Sequence, residues 1–126
     1  MTPATALYAG LLGLIYIVLS IFVIGRRKEA RVSLGTGDDP ALTARTRAHG
    51  NFAEYVPLTL LLMALTELGG APAWHVHLVG LLLLVGRLCH ATALIRGGMA
   101  LRVGGMMMTF TAIALASLAC LWIALV

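Results

Sequence analysis

The sequence predicts an all-α integral membrane protein, a four-helix bundle with four transmembrane helices in a single domain over residues 1–126. Three observations predict it. The 126 residues are 60% hydrophobic and only 11% charged, where a soluble domain carries about 25% charged residues. Apolar runs long enough to cross a bilayer recur along the chain. The basic residues cluster in the connections between those runs, as topology signals do.

Span 1 covers about residues 4–24, which carry no charge and reach about 30 Å as a helix. It is too long for a signal-peptide core, no basic residue precedes it, and it ends in Arg26-Arg27-Lys28, so it reads as a retained span. Ala9 and Gly13 form a small-xxx-small pair suited to close helix approach. Residues 25–43 are polar and broken by Gly35, Gly37 and Pro40. They predict a loop, with Asp39 or Thr43 as N-cap of the next helix.

Span 2, about 44–68, is the unusual one. Arg47, Asn51 and Glu54 share one face at helical spacing, and charge at bilayer depth costs at least a few kcal/mol. Such a face implies a bound partner. Pro57 removes a backbone hydrogen bond within this span and predicts a kink. Span 3, about 74–95, begins at Trp74, a headgroup-type residue, and carries Arg87 and, one turn later, His90. Span 4, about 103–126, is uncharged and repeats Ala112, Ala116, Cys120 and Ala124 every four residues, a small-residue packing stripe.

Eight of the nine Lys and Arg residues lie in or beside the 1–2 and 3–4 connections. The positive-inside rule places those loops in the cytoplasm and both termini outside. Arg26, Arg27, Arg47, Asn51, Glu54, Arg87, His90 and Arg102 then share one depth near the cytoplasmic end. Arginines, a carboxylate, an amide and an imidazole together suit a zwitterionic or multiply anionic small molecule. The plainer alternatives are snorkelling anchors for Arg26, Arg27, Lys28, Arg96 and Arg102, a structural Glu54–Arg87 ion pair, and Asn51 as interhelical glue. Cys89 and Cys120 read as buried apolar residues. His75 and His77 lack a third ligand, so no metal is expected, and neither is a nucleic-acid partner. The glycine pairs lack a phosphate-loop setting.

The stretch Arg47-Ala48-His49-Gly50-Asn51-Phe52-Ala53-Glu54-Tyr55-Val56-Pro57 resembles the signature of the MAPEG family, the membrane-associated proteins in eicosanoid and glutathione metabolism. The likeness covers nearly the whole chain and includes Val85-Gly86-Arg87-Leu88-Cys89-His90 and Leu101-Arg102. It is nearest to small bacterial inner-membrane members. The resemblance implies a homotrimer of four-helix protomers with glutathione between subunits near the cytoplasmic face. Arg26, Arg27, Arg47, Asn51, Glu54, Tyr55, Arg87 and His90 would bind glutathione, and Arg102 would be the catalytic residue that stabilises its thiolate.

A thiol of pKa about 8.5 needs roughly 2.7 kcal/mol to become mostly thiolate at neutral pH. One guanidinium at about 4 Å supplies up to about 4 kcal/mol at an effective dielectric near 20. The thiolate would attack lipophilic small molecules dissolved in membrane lipid, as a glutathione transferase or peroxidase does. Departures from the family pattern lie in the reacting half. Leu94 stands where catalytic eicosanoid members have tyrosine, Val103 where some have serine, and Met106 where others have a hydroxyl. A non-catalytic glutathione-binding protein is therefore an alternative, and a small proton-coupled exporter using Glu54 a more distant one.

Overall fold

A computed structural model describes residues 2–126. It contains four helices, α1 (Pro3–Ala30), α2 (Pro40–Leu68), α3 (Ala73–Arg96) and α4 (Met99–Leu125). Helices α2 and α3 form the central pair. Helix α1 packs on one side of that pair and α4 on the other, and α1 and α4 do not meet. The all-α bundle expected from composition is what forms.

The helices outrun the predicted apolar spans. Helix α1 continues through Arg26-Arg27-Lys28 to Ala30 and stops where Arg31 takes a left-handed φ of 55°, so the connection narrows from the expected 25–43 to residues 31–39. Asp39 is the N-cap of α2, its carboxylate accepting from the Leu42 N–H at 2.6 Å. Pro40 follows at the first helical position, where its missing N–H costs nothing. Pro57 does not break α2, which runs unbroken past it. Three helices, α1, α3 and α4, are long and apolar enough to cross a membrane. Helix α2 has 29 residues, but its polar side chains dilute its apolar stretch.

The core lies where α1, α2 and α3 meet, around Leu12, Phe52, Met63, Val76 and Leu83. Helices α3 and α4 cross most closely at Gly86 and Gly105, where a Cβ on either residue would overlap backbone of the other helix. Ala112 and Ala116 of the small-residue stripe are buried, whereas Ala124 is exposed, so only part of the stripe serves packing within the protomer. Ala9 is half-buried and Gly13 exposed. Cys89 and Cys120 are free.

The start of α1 is held at the end opposite the basic connections. Glu67 accepts hydrogen bonds from the Ala4 and Thr5 N–H groups, both 2.9 Å, and the Tyr8 hydroxyl donates to the His77 carbonyl at 3.1 Å. Val126 borders the same region, lining a recess with Gly69, Pro72 and Trp74. The start of α1, the end of α4 and the 2–3 connection thus share one end, and the two basic connections share the other.

Candidate functional site

At the basic end, α2, α3 and α4 enclose a polar cleft of about 490 Å³. Its walls are Thr46, Arg47, Gly50, Asn51 and Glu54 from α2, His90 and Leu94 from α3, and Arg102 from α4. The spacing explains the lining: 47, 51 and 54 fall on one face of α2, and 90 and 94 are one turn apart on α3. Arg47, Glu54 and Arg102 are exposed, and His90 is buried in the wall. Among the described residues none of Arg47, Glu54 and Arg102 forms an ion pair. Two arginines and one carboxylate therefore face the same space with their charges unspent.

Arg87 and Tyr55 sit behind this cleft rather than in its lining. Arg87 is 1% exposed. Its guanidinium donates to the Asn51 amide oxygen on α2, to Thr109 Oγ1 at 3.0 Å and to Met106 Sδ at 3.2 Å on α4. The Tyr55 ring centre lies 5.6 Å from the same guanidinium, within range of a cation–π contact. The Glu54–Arg87 ion pair considered from the sequence does not form: Arg87 is joined to Asn51, and Glu54 turns to the cleft. Asn51 is interhelical glue and cleft wall at once.

Arg26 and Arg27 are also outside this lining. Arg26 holds Asp39 with two hydrogen bonds, 3.2 and 2.7 Å, and reaches Glu29 at 2.9 Å. Arg27 donates to the Gly35 carbonyl at 2.7 Å. Both tie the end of α1 to the connection that follows. The Arg26 guanidinium, and after it the Leu42 N–H, hold the Asp39 carboxyl below the usual carboxylate range. That connection adjoins the cleft, since a neighbouring recess is lined by Asp38, Asp39 and Thr43 and shares Arg47, Leu94 and Arg102 with it.

Thr46 and Gly50 were not singled out in the sequence, although 46, 50 and 54 repeat at i, i+4, i+8. The Thr46 hydroxyl is buried and has no hydrogen-bond partner among the described residues. Thr109 was missed as well; it is buried, accepts from Arg87 and donates to the Gly105 carbonyl at 2.9 Å. Among the described residues no three His, Cys, Asp or Glu side chains gather to hold a metal. Chemically, the cleft can neutralise anionic groups at Arg47 and Arg102, take an ammonium or hydroxyl at Glu54, and hydrogen-bond an amide or carboxylate at Asn51.

Comparison with known proteins agrees with this architecture. Two relatives, the inner membrane protein YecN of Escherichia coli strain K12 and that of strain CFT073, are each 39% identical over 118 residues, covering 94% of this chain and 90% of the relative. The sequence model of the MAPEG family matches residues 5–122, which span all four helices. The chain is a membrane protein that belongs to the MAPEG family.

Proposed function

We propose that the polar cleft binds glutathione and that Arg102 stabilises its thiolate, making the protein a glutathione transferase or peroxidase for lipophilic electrophiles. The observation that carries this reading is the convergence of Arg47, Asn51, Glu54, His90 and Arg102 on one cleft, with Arg47, Arg102 and Glu54 in no ion pair among the described residues. Glutathione has two carboxylates, one ammonium and two amides, which match such a set in sign and kind. Arg102 opens α4, exposed and free of any ion pair among the described residues, and arginine keeps its charge whatever its surroundings.

In the transfer reaction the thiol releases its proton to solvent, and the sulfur displaces a halide from the electrophile as the C–S bond forms. Reduction of a lipid hydroperoxide would instead consume two glutathione molecules and yield their disulfide, the alcohol and water. The basic connections would face the cytoplasm, where glutathione is held, in a bacterial inner membrane. The assembly would be a homotrimer with the cleft closed by a neighbouring subunit. Arg26 and Arg27, outside the cleft lining of their own protomer, would then approach a ligand across a subunit boundary.

The test is turnover of a chlorodinitrobenzene-type electrophile by purified protein with glutathione. Arg102→Ala is expected to keep glutathione affinity within a few-fold while lowering kcat roughly 100-fold, the scale of one lost electrostatic stabiliser. Leu94 in the cleft lining, an apolar group where a hydroxyl would assist reaction, favours a second reading: the same cleft binds glutathione without turnover. Saturable binding with no product from any electrophile or peroxide selects that one.

A further inference from the structure

We infer that Arg87 is a positioning residue acting through Asn51: it locks the Asn51 amide with its nitrogen toward the cleft, so that this position accepts only a carboxylate or carbonyl oxygen of the ligand. The inference rests on the glutathione reading of the same cleft. A guanidinium has donors and no acceptor, so the amide atom facing Arg87 is Oδ1. The Nδ2 group is thereby turned the other way, and Asn51 borders the cleft. Among the described residues Nδ2 has no acceptor of its own, which leaves both of its protons for a ligand.

Arg87 is itself fixed from every side. Its Nε donates to Thr109 Oγ1, and that hydroxyl in turn donates to the Gly105 carbonyl, so the direction of the chain of bonds is set. Its other terminal nitrogen donates to Met106 Sδ, a weak acceptor, and the Tyr55 ring lies against the cation. No carboxylate pairs with it among the described residues. A buried cation with neutral partners favours negative charge nearby, and the cleft is one side chain away. The lock and the charge thus select the same ligand groups.

The experiment is a binding cycle with the full chain in detergent and glutathione as the probe, followed by calorimetry. Arg87→Met and Asn51→Ala are each expected to raise Kd about tenfold, and the double variant about tenfold as well rather than a hundredfold. Thr109→Val frees the guanidinium while changing little volume; it is expected to raise Kd severalfold in the presence of Asn51 and not at all with Asn51→Ala, which covers a failure of Arg87→Met to fold. The Asn51 side-chain amide signals of ligand-free protein, read by NMR, should form one sharp pair that broadens or moves in both variants. A multiplicative double variant, unchanged Kd in Arg87→Met and Thr109→Val, or unmoved amide signals overturns the inference. If the unmodified protein fails to bind glutathione, the functional reading falls, and the amide signals still decide whether Arg87 holds the lock.

Discussion

Gly105 of α4 rests on Gly86 of α3 so closely that a Cβ on Gly105 would stand 2.6 Å from the Gly86 carbonyl oxygen and 2.7 Å from the His90 backbone nitrogen. The crossing brings α4 against the turn of α3 that carries Arg87 and His90, next to the cleft that Arg102 and Asn51 both line. Gly105→Ala must push the helices apart, at a cost of about 1–3 kcal/mol for overpacking, and should lower the thermal midpoint and weaken glutathione binding together. Gly104 has nothing within 4 Å of its would-be Cβ. Gly104→Ala is therefore the matched control, expected to be neutral or to stabilise by up to about 1 kcal/mol through helix propensity. Equal damage from both substitutions would mean that the crossing is not the sensitive feature.

Glu67 performs for α1 what Asp39 performs for α2, from the far end of another helix. The first N–H groups of a helix have no partner within it, and Glu67 satisfies those of Ala4 and Thr5 while placing negative charge at the positive end of the helix. Glu67→Ala is expected to cost roughly 1 kcal/mol, the scale of a lost cap. Glu67→Gln, which keeps one of the two acceptor oxygens, should cost less. Hydrogen exchange at the first turns of α1 is the readout: it should quicken in the alanine variant and leave the polar cleft untouched.

How much of this was legible beforehand follows from the kind of signal each feature leaves. The bundle and the polar face of α2 are one-dimensional patterns, and the 47/51/54 spacing alone puts those side chains into one cleft. Which neighbour a face meets is not written in its period. Arg87 lies on the same helix as His90, and nothing in the spacing says that one is sealed behind Asn51 while the other lines the cleft. The Glu67 cap joins residues 62 and 63 positions apart, a pairing that only the packed bundle creates. Depth alone groups Arg26 and Arg27 with the site, but depth leaves azimuth free, and within one protomer both bond to residues at or beyond the end of α1.

Asp39 gives the basic end a pH dependence of known sign. Its carboxyl is held below its ordinary value of 3.8 by Arg26 first and the Leu42 N–H next. A lowered native pKa means that its contribution is fully present above the ordinary value and is lost as pH falls through the lowered one. Asp39→Asn keeps a capping oxygen and removes the charge paired with Arg26. The gap in melting temperature between the unmodified protein and Asp39→Asn should hold steady from about pH 7 to pH 5 and shrink below about pH 4. A gap near zero at every pH would assign the stabilisation to the cap alone, because both proteins keep the capping oxygen.

Leu94 offers the sharpest separation of binding from chemistry. It is half-buried, one turn beyond His90, and lines both the polar cleft and the recess beside the 1–2 connection. An isobutyl group there donates no hydrogen bond, whereas a phenol at the same place could donate to a thiolate held by Arg102. Leu94→Tyr adds volume at a half-buried site that packs against the core on one side and opens onto the cleft on the other. The variant should bind glutathione within a few-fold of the unmodified protein, because Arg47, Asn51 and Glu54 are untouched. Its kcat toward a chlorodinitrobenzene-type electrophile should rise roughly 100-fold, the lower end of the range for a positioned donor or acid. Combined with Arg102→Ala the gain should vanish, since the phenol would then have no thiolate to address. If Leu94→Tyr with Arg102 intact leaves turnover unchanged while affinity holds, the cleft is a glutathione receptor rather than a damped catalyst, because supplying the missing donor would then have restored nothing.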